Sequence, residues 1–94
     1  MEIFAEVVNR GIAIGNTSTL ALALNASREY ASFVNDSDVT IYLSLGIAAK
    51  LNKGIRLNAS GGSFELNTDN LYKGAVYAIH GGAGNKNLCV VEGY

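Results

Sequence analysis

The sequence predicts an all-β protein: an antiparallel β-sandwich or small barrel, jelly-roll or Ig-like, with about seven or eight short strands. Three observations predict it. Apolar and polar residues alternate with a period of two along most of the chain. Clusters of Gly, Asn, Asp and Ser interrupt that alternation roughly every 8–12 residues, the spacing of a sandwich or barrel. No stretch reads as the long crossover helix that a parallel sheet needs.

The elements follow in order. Residues 2–9 form the first candidate strand. Gly11-Ile12-Ala13-Ile14-Gly15 fits either a bulged strand or a flexible connection. Together, residues 1–15 read as an N-terminal strand or arm, and residues 16–94 as a single sandwich domain. Residues 17–25 place Leu20, Leu22 and Leu24 on one face and Ala21 and Ala23 on the other. Leu and Ala favour helix, but the run is short and flanked by Asn16 and Asn25, so a strand is expected. Residues 29–35 form the next strand. Residues 39–45 are the clearest: Val39, Ile41, Leu43 and Leu45 are expected in the core, and Thr40, Tyr42 and Ser44 outside it. Residues 47–52 fit one helical turn. Strands are expected at 54–58, 63–67, 75–80 and 87–92. Pro is absent, so the breaks at 35–38, 59–62, 67–70 and 81–85 are hairpins or corners made by Gly, Asn, Asp and Ser. Gly62 is the position where a β-branched residue is worst if its turn needs positive φ.

Composition narrows the function classes. The chain has 94 residues, the size of one domain. Charged residues are 16%, against about 25% in an ordinary soluble domain. Either much of the surface packs against partners, or Asn, Ser, Thr and Gly keep it polar. A net charge of −1 argues against the basic patch of a nucleic-acid binder and against attraction to an anionic membrane. No apolar run approaches the roughly 20 residues of a membrane span. The N-terminus lacks the pattern of a signal peptide, so synthesis in the cytoplasm is expected. The sequons at Asn16, Asn25, Asn35 and Asn58 then read as turn chemistry.

Chemistry-bearing residues are few. Cys89 is the only Cys and His80 the only His, which excludes internal disulfides and Cys-rich or multi-His metal sites. Asn35-Asp36-Ser37-Asp38 begins like a calcium loop but lacks its Gly, its terminal Glu and its helix; an Asx-rich hairpin turn is expected. Gly81-Gly82-Ala83-Gly84-Asn85-Lys86 lacks the Gly-Lys-Ser/Thr ending and the helix of a phosphate loop, and reads as a flexible hairpin loop. His80 is expected to hydrogen-bond that loop, and Cys89 to be a small buried hydrophobe. No spacing unites His80 with a nucleophile and a carboxylate. The expectation is a non-enzyme with no cofactor, metal or catalytic site. The Tyr residues (30, 42, 72, 77 and 94) pack across strands or form a sugar platform. Tyr42, with Asp36 and Asp38, is the candidate glycan or partner contact. Sheet edges need covering, so a closed homo-oligomer is expected, with a trimer as one form.

Several segments share a further pattern: Asn25-Ala26-Ser27-Arg28-Glu29-Tyr30, Val34-Asn35-Asp36-Ser37-Asp38, Ile41-Tyr42-Leu43-Ser44-Leu45-Gly46, Asn52-Lys53-Gly54-Ile55-Arg56-Leu57, Gly61-Gly62-Ser63-Phe64-Glu65, Tyr72-Lys73-Gly74-Ala75-Val76-Tyr77-Ala78-Ile79, and Val90-Val91-Glu92. With them the chain resembles small virion proteins of tailed bacteriophages, of the minor structural or capsid decoration kind. Residues 1–24 match less clearly. The resemblance implies a structural protein assembled in the host cytoplasm into the virion. Its partners would be the major capsid protein or a neck or tail protein. No catalytic residue carries over. The alternative is a glycan-binding, receptor-binding β-sandwich module.

Overall fold

In the computed structural model, which describes residues 5–94, the period-two alternation becomes eight strands. They are β1 (Val7–Ile14), β2 (Thr19–Leu22), β3 (Tyr30–Asp36), β4 (Ile41–Leu45), β5 (Ile55–Leu57), β6 (Ser63–Leu66), β7 (Val76–His80) and β8 (Lys86–Gly93). They form two antiparallel sheets, ordered β1-β8-β3-β6 and β2-β7-β4-β5. Among the described residues there is no helix. Inward side chains from both sheets form one apolar cluster, including Phe33, Leu66, Leu88 and Val90 from the first sheet and Ile41, Leu43, Leu57 and Val76 from the second. Two sheets burying their inner faces together are consistent with a small β-sandwich. Every connection except β4–β5 passes from one sheet to the other. That strand order matches a jelly roll's rather than an Ig-like domain's.

Pairing sets several features that local alternation does not. β1 runs through Gly11 and stays in register with β8 from Val7↔Gly93 to Ile14↔Lys86. The ambiguous residues 11–14 are therefore strand, because β8 offers a partner of equal length. The strand expected at 2–9 is described only from residue 5, and residues 1–4 lie outside the described residues.

In β2 the expected facing is overturned. Its register with β7 shifts between Leu20 and Leu22. The irregularity turns both Ala21 and Leu22 inward, while Leu20 is 49% and Leu24 70% exposed. In β4, Ile41 and Leu43 are fully buried as expected. Leu45, however, is exposed at the strand's end, and Val39 is half-buried before its start, where the core runs out. Thr40, Tyr42 and Ser44 are half-buried. Residues 47–52 form an irregular loop with a turn only at Leu51 and Asn52, rather than a helical turn. The backbone N–H of Ala49 reaches across to Ser18 Oγ at 2.8 Å.

The expected hairpins at 35–38 and 81–85 are corners between sheets. Asn35 explains the first. It is fully buried, donates from Nδ2 to the carbonyls of Val39 (2.7 Å) and Leu57 (3.0 Å), and accepts from Ser37 Oγ at 2.6 Å. A backbone-like amide in the side chain thus satisfies carbonyls where the chain leaves one sheet for the other. At 59–62, positive φ falls on Ser60 and Gly61. Gly62 is required for a different reason from the expected one: a Cβ there would overlap the Asn58 backbone.

Candidate functional site

Tyr42 points away from the core on β4, as its parity requires. Its hydroxyl donates to Asn52 Oδ1 at 3.0 Å. The two side chains help line a cleft of about 470 Å³ with Val39, Thr40, Leu51, Gly81 and Gly82. The two aspartates expected beside Tyr42 lie elsewhere. Asp36 ends β3 and accepts from Asn87 Nδ2 at 3.2 Å. Asp38 is exposed and pairs with Lys86 Nζ at 2.8 Å. The lysine's hydrogen bond holds the Asp38 carboxyl below the usual carboxylate range. Asp36 and Asp38 share a separate hollow with Ser60 and Gly61.

The other tyrosines are scattered. Tyr30 donates to Glu65 Oε2 at 2.7 Å. That bond raises the Tyr30 phenol above its usual value and lowers the Glu65 carboxyl below its own. Tyr72 packs against the core, and Tyr94 lines a different groove.

His80 closes β7 fully buried. Its Nδ1 accepts from the Gly82 N–H at 3.0 Å, which leaves the Nε2 hydrogen to donate to the Gly84 carbonyl at 2.7 Å. Both ring nitrogens are thus engaged in holding the glycine loop, as the sequence suggests. Cys89 departs from expectation. The parity that sends Leu88 and Val90 inward turns Cys89 outward, where it is half-buried near Asn87 and Asp36. Among the described residues, no three His, Cys, Asp or Glu side chains gather as a metal site.

One cluster is missed by the sequence reading. Arg28 is fully buried, and its Nε donates to Glu92 Oε2 at 2.9 Å. Its remaining nitrogens donate to the carbonyls of Tyr72 (2.9 Å), Gly74 (2.9 Å) and Ala23 (2.6 Å). Glu92, also buried, accepts from Arg10 at 3.3 Å and from Asn25 at 3.2 Å. Charges out of water are tolerable only when paired and hydrogen-bonded in this way. The cluster ties β8 of the first sheet to segments flanking β2 and β7 of the second. Its arrangement serves as a clamp. The available signal was Glu92 on the inward parity of Leu88 and Val90; nothing in the local pattern marks Arg28.

The remaining distinctive surface is apolar. Among the described residues, the exposed large apolar side chains are Val7, Leu20, Leu24, Leu45, Ile47 and Leu51. All except Val7 belong to β2, β4 or the loops leaving them. Beside them, an open groove of about 420 Å³ runs between edge strands β1 and β2, lined by Ile12, Leu20, Leu22 and Leu24 with Arg10 and Glu92.

No family model, curated protein or solved structure matches the chain. Among the described residues, no helix is long and apolar enough to cross a membrane.

Proposed function

We propose that this chain is a non-enzymatic virion structural protein of a tailed bacteriophage, decorating or stabilising the capsid or the neck and tail by packing onto other protein chains. The observation that carries the packing reading is that the exposed large apolar side chains Leu20, Leu24, Leu45, Ile47 and Leu51 all belong to β2, β4 or the loops leaving them. Exposed large apolar side chains concentrated on one sheet and its loops favour a docking role over a freely solvated one. Among the described residues, β1 and β2 are edge strands, whose outer backbone groups another chain can pair with. The virion setting comes from the sequence resemblance. The jelly-roll order suits it but does not select it, since shell-forming and lectin domains both use that fold.

The test is light scattering after size exclusion, then co-sedimentation with capsids and with tails of the particle whose genome encodes the chain. Stoichiometric binding is expected to one of the two, and to be lost in the Leu24→Lys/Ile47→Lys variant with its melting temperature retained. A chain that stays monomeric and sediments with neither would overturn the proposal.

A further inference from the structure

We propose that the cleft between Tyr42, Asn52 and the glycine loop binds a neutral saccharide. This goes beyond the packing role and does not depend on it. Three parts of the chain converge there: the entry to β4 with Val39, Thr40 and Tyr42, the β4–β5 loop with Leu51 and Asn52, and the β7–β8 loop with Gly81 and Gly82.

The chemistry of the lining selects the ligand class. Among the described residues no charged side chain lines the cleft, so they offer nothing there to neutralise a phosphate or a carboxylate. The neighbouring Asp38 is already paired with Lys86. What remains is an aromatic ring, two aliphatic side chains and a small set of neutral polar groups. Because the Tyr42 hydroxyl spends its hydrogen on Asn52 Oδ1, its oxygen is left as an acceptor and the Asn52 amide nitrogen keeps two donors. The Thr40 hydroxyl can do either. A sugar ring has this complement: an apolar C–H face to lie on the ring of Tyr42, and a rim of hydroxyls that both donate and accept. At about 470 Å³ the cleft is of ligand-site size.

The walls are also set in advance. Asn52 is held at φ 64°, a left-handed conformation that Asn tolerates better than most residues. His80 bonds Gly82 and Gly84 at once and so fixes the loop. A side chain at Gly82 would crowd Val39, with its Cβ at 3.3 Å from Val39 Cγ1. Pre-formed walls reduce the ordering cost of binding.

The experiment is an array of neutral mono- and oligosaccharides probed with the full chain, followed by amide chemical-shift titration with the best binder. Shifts are expected at Tyr42, Asn52, Gly81 and Gly82. Asn52→Gly keeps the left-handed backbone but removes the amide, and is expected to weaken binding about tenfold, one strong hydrogen bond's worth, while the chain stays folded. Tyr42→Ala is expected to weaken it at least as much. Absence of binding across the array, shifts confined to another surface, preference for an anionic sugar, or unchanged affinity in Asn52→Gly would each overturn the proposal.

Discussion

On the outer face of the first sheet, Asn9, Val91, Ser32 and Glu65 lie in one register row, and Gly11, Cys89, Val34 and Ser63 in the next. These rows mix polar residues with Gly11, Cys89, Val34 and Val91 and hold no Leu, Ile or aromatic side chain. On the outer face of the second, Leu20 lies opposite Tyr77, and Ile79 opposite Tyr42. Ile79 points outward yet is only 8% exposed. The β4–β5 loop crosses this face, with Ala49 bonded to Ser18 and Asn52 to Tyr42. One face is finished with mostly short side chains, polar and apolar, the other with a strap of chain that leaves Ile47 and Leu51 in solvent. The comparison teaches that a shared core constrains only the inner parity of each strand. The outer parity is free to be solvated on one sheet and to carry a cleft and an apolar surface on the other.

The largest expected effect lies where the two sheets are tied. Glu92→Ala leaves Arg28 buried without its counter-charge. The expected loss is about 3–5 kcal/mol in urea unfolding, as for a broken buried pair. A loss below about 1 kcal/mol would show that the cluster does not clamp the sheets. Next come the core partners. Phe33→Ala in the first sheet and Leu43→Ala in the second should each cost roughly 2–5 kcal/mol. A loss confined to one of them would break the view that the sheets share one core.

The strap gives a smaller and more local effect. Ser18→Ala removes the acceptor for Ala49 and should cost about 1 kcal/mol. Amide exchange should quicken across residues 46–54 and at Ile79. Ser63→Ala on the first sheet's outer face should change stability by less than about 0.5 kcal/mol. Equal exchange behaviour in the two variants would mean the second sheet's outer face is not strapped.

The smallest effect is electrostatic. The Asp38 carboxyl is lowered by Lys86, so its contribution is present above the unfolded carboxylate value and is lost as pH falls through the lowered folded value. Asp38→Asn should therefore melt slightly below the parent chain at neutral pH. The two should converge in strong acid. Solvent and salt screen this exposed pair, so the gap should also narrow in high salt. A gap that persists in strong acid would assign the effect to something other than charge.

Much of the fold was legible. The turn clusters mark nearly every strand boundary because Gly, Asn and Asp supply backbone conformations and side-chain caps that strands do not use. His80 was legible because a strand-end imidazole next to glycines has few other partners. The cleft was legible only by half. Tyr42 was predicted outward from parity, but Asn52 is ten residues away in a loop whose path local pattern does not encode.

The sequence by itself determined the all-β class, the positions of the strands, the inward parity of Ile41 and Leu43, and the absence of a cysteine or histidine framework. These follow from local alternation and residue chemistry. The tertiary structure alone decided which strands pair and hence the jelly-roll order, the shift that turns Ala21 and Leu22 inward together, the outward turn of Cys89, and the meeting of Arg28 with Glu92. Those contacts join residues far apart in the chain, and strand pairing and burial of charge are set by partners that no local window contains.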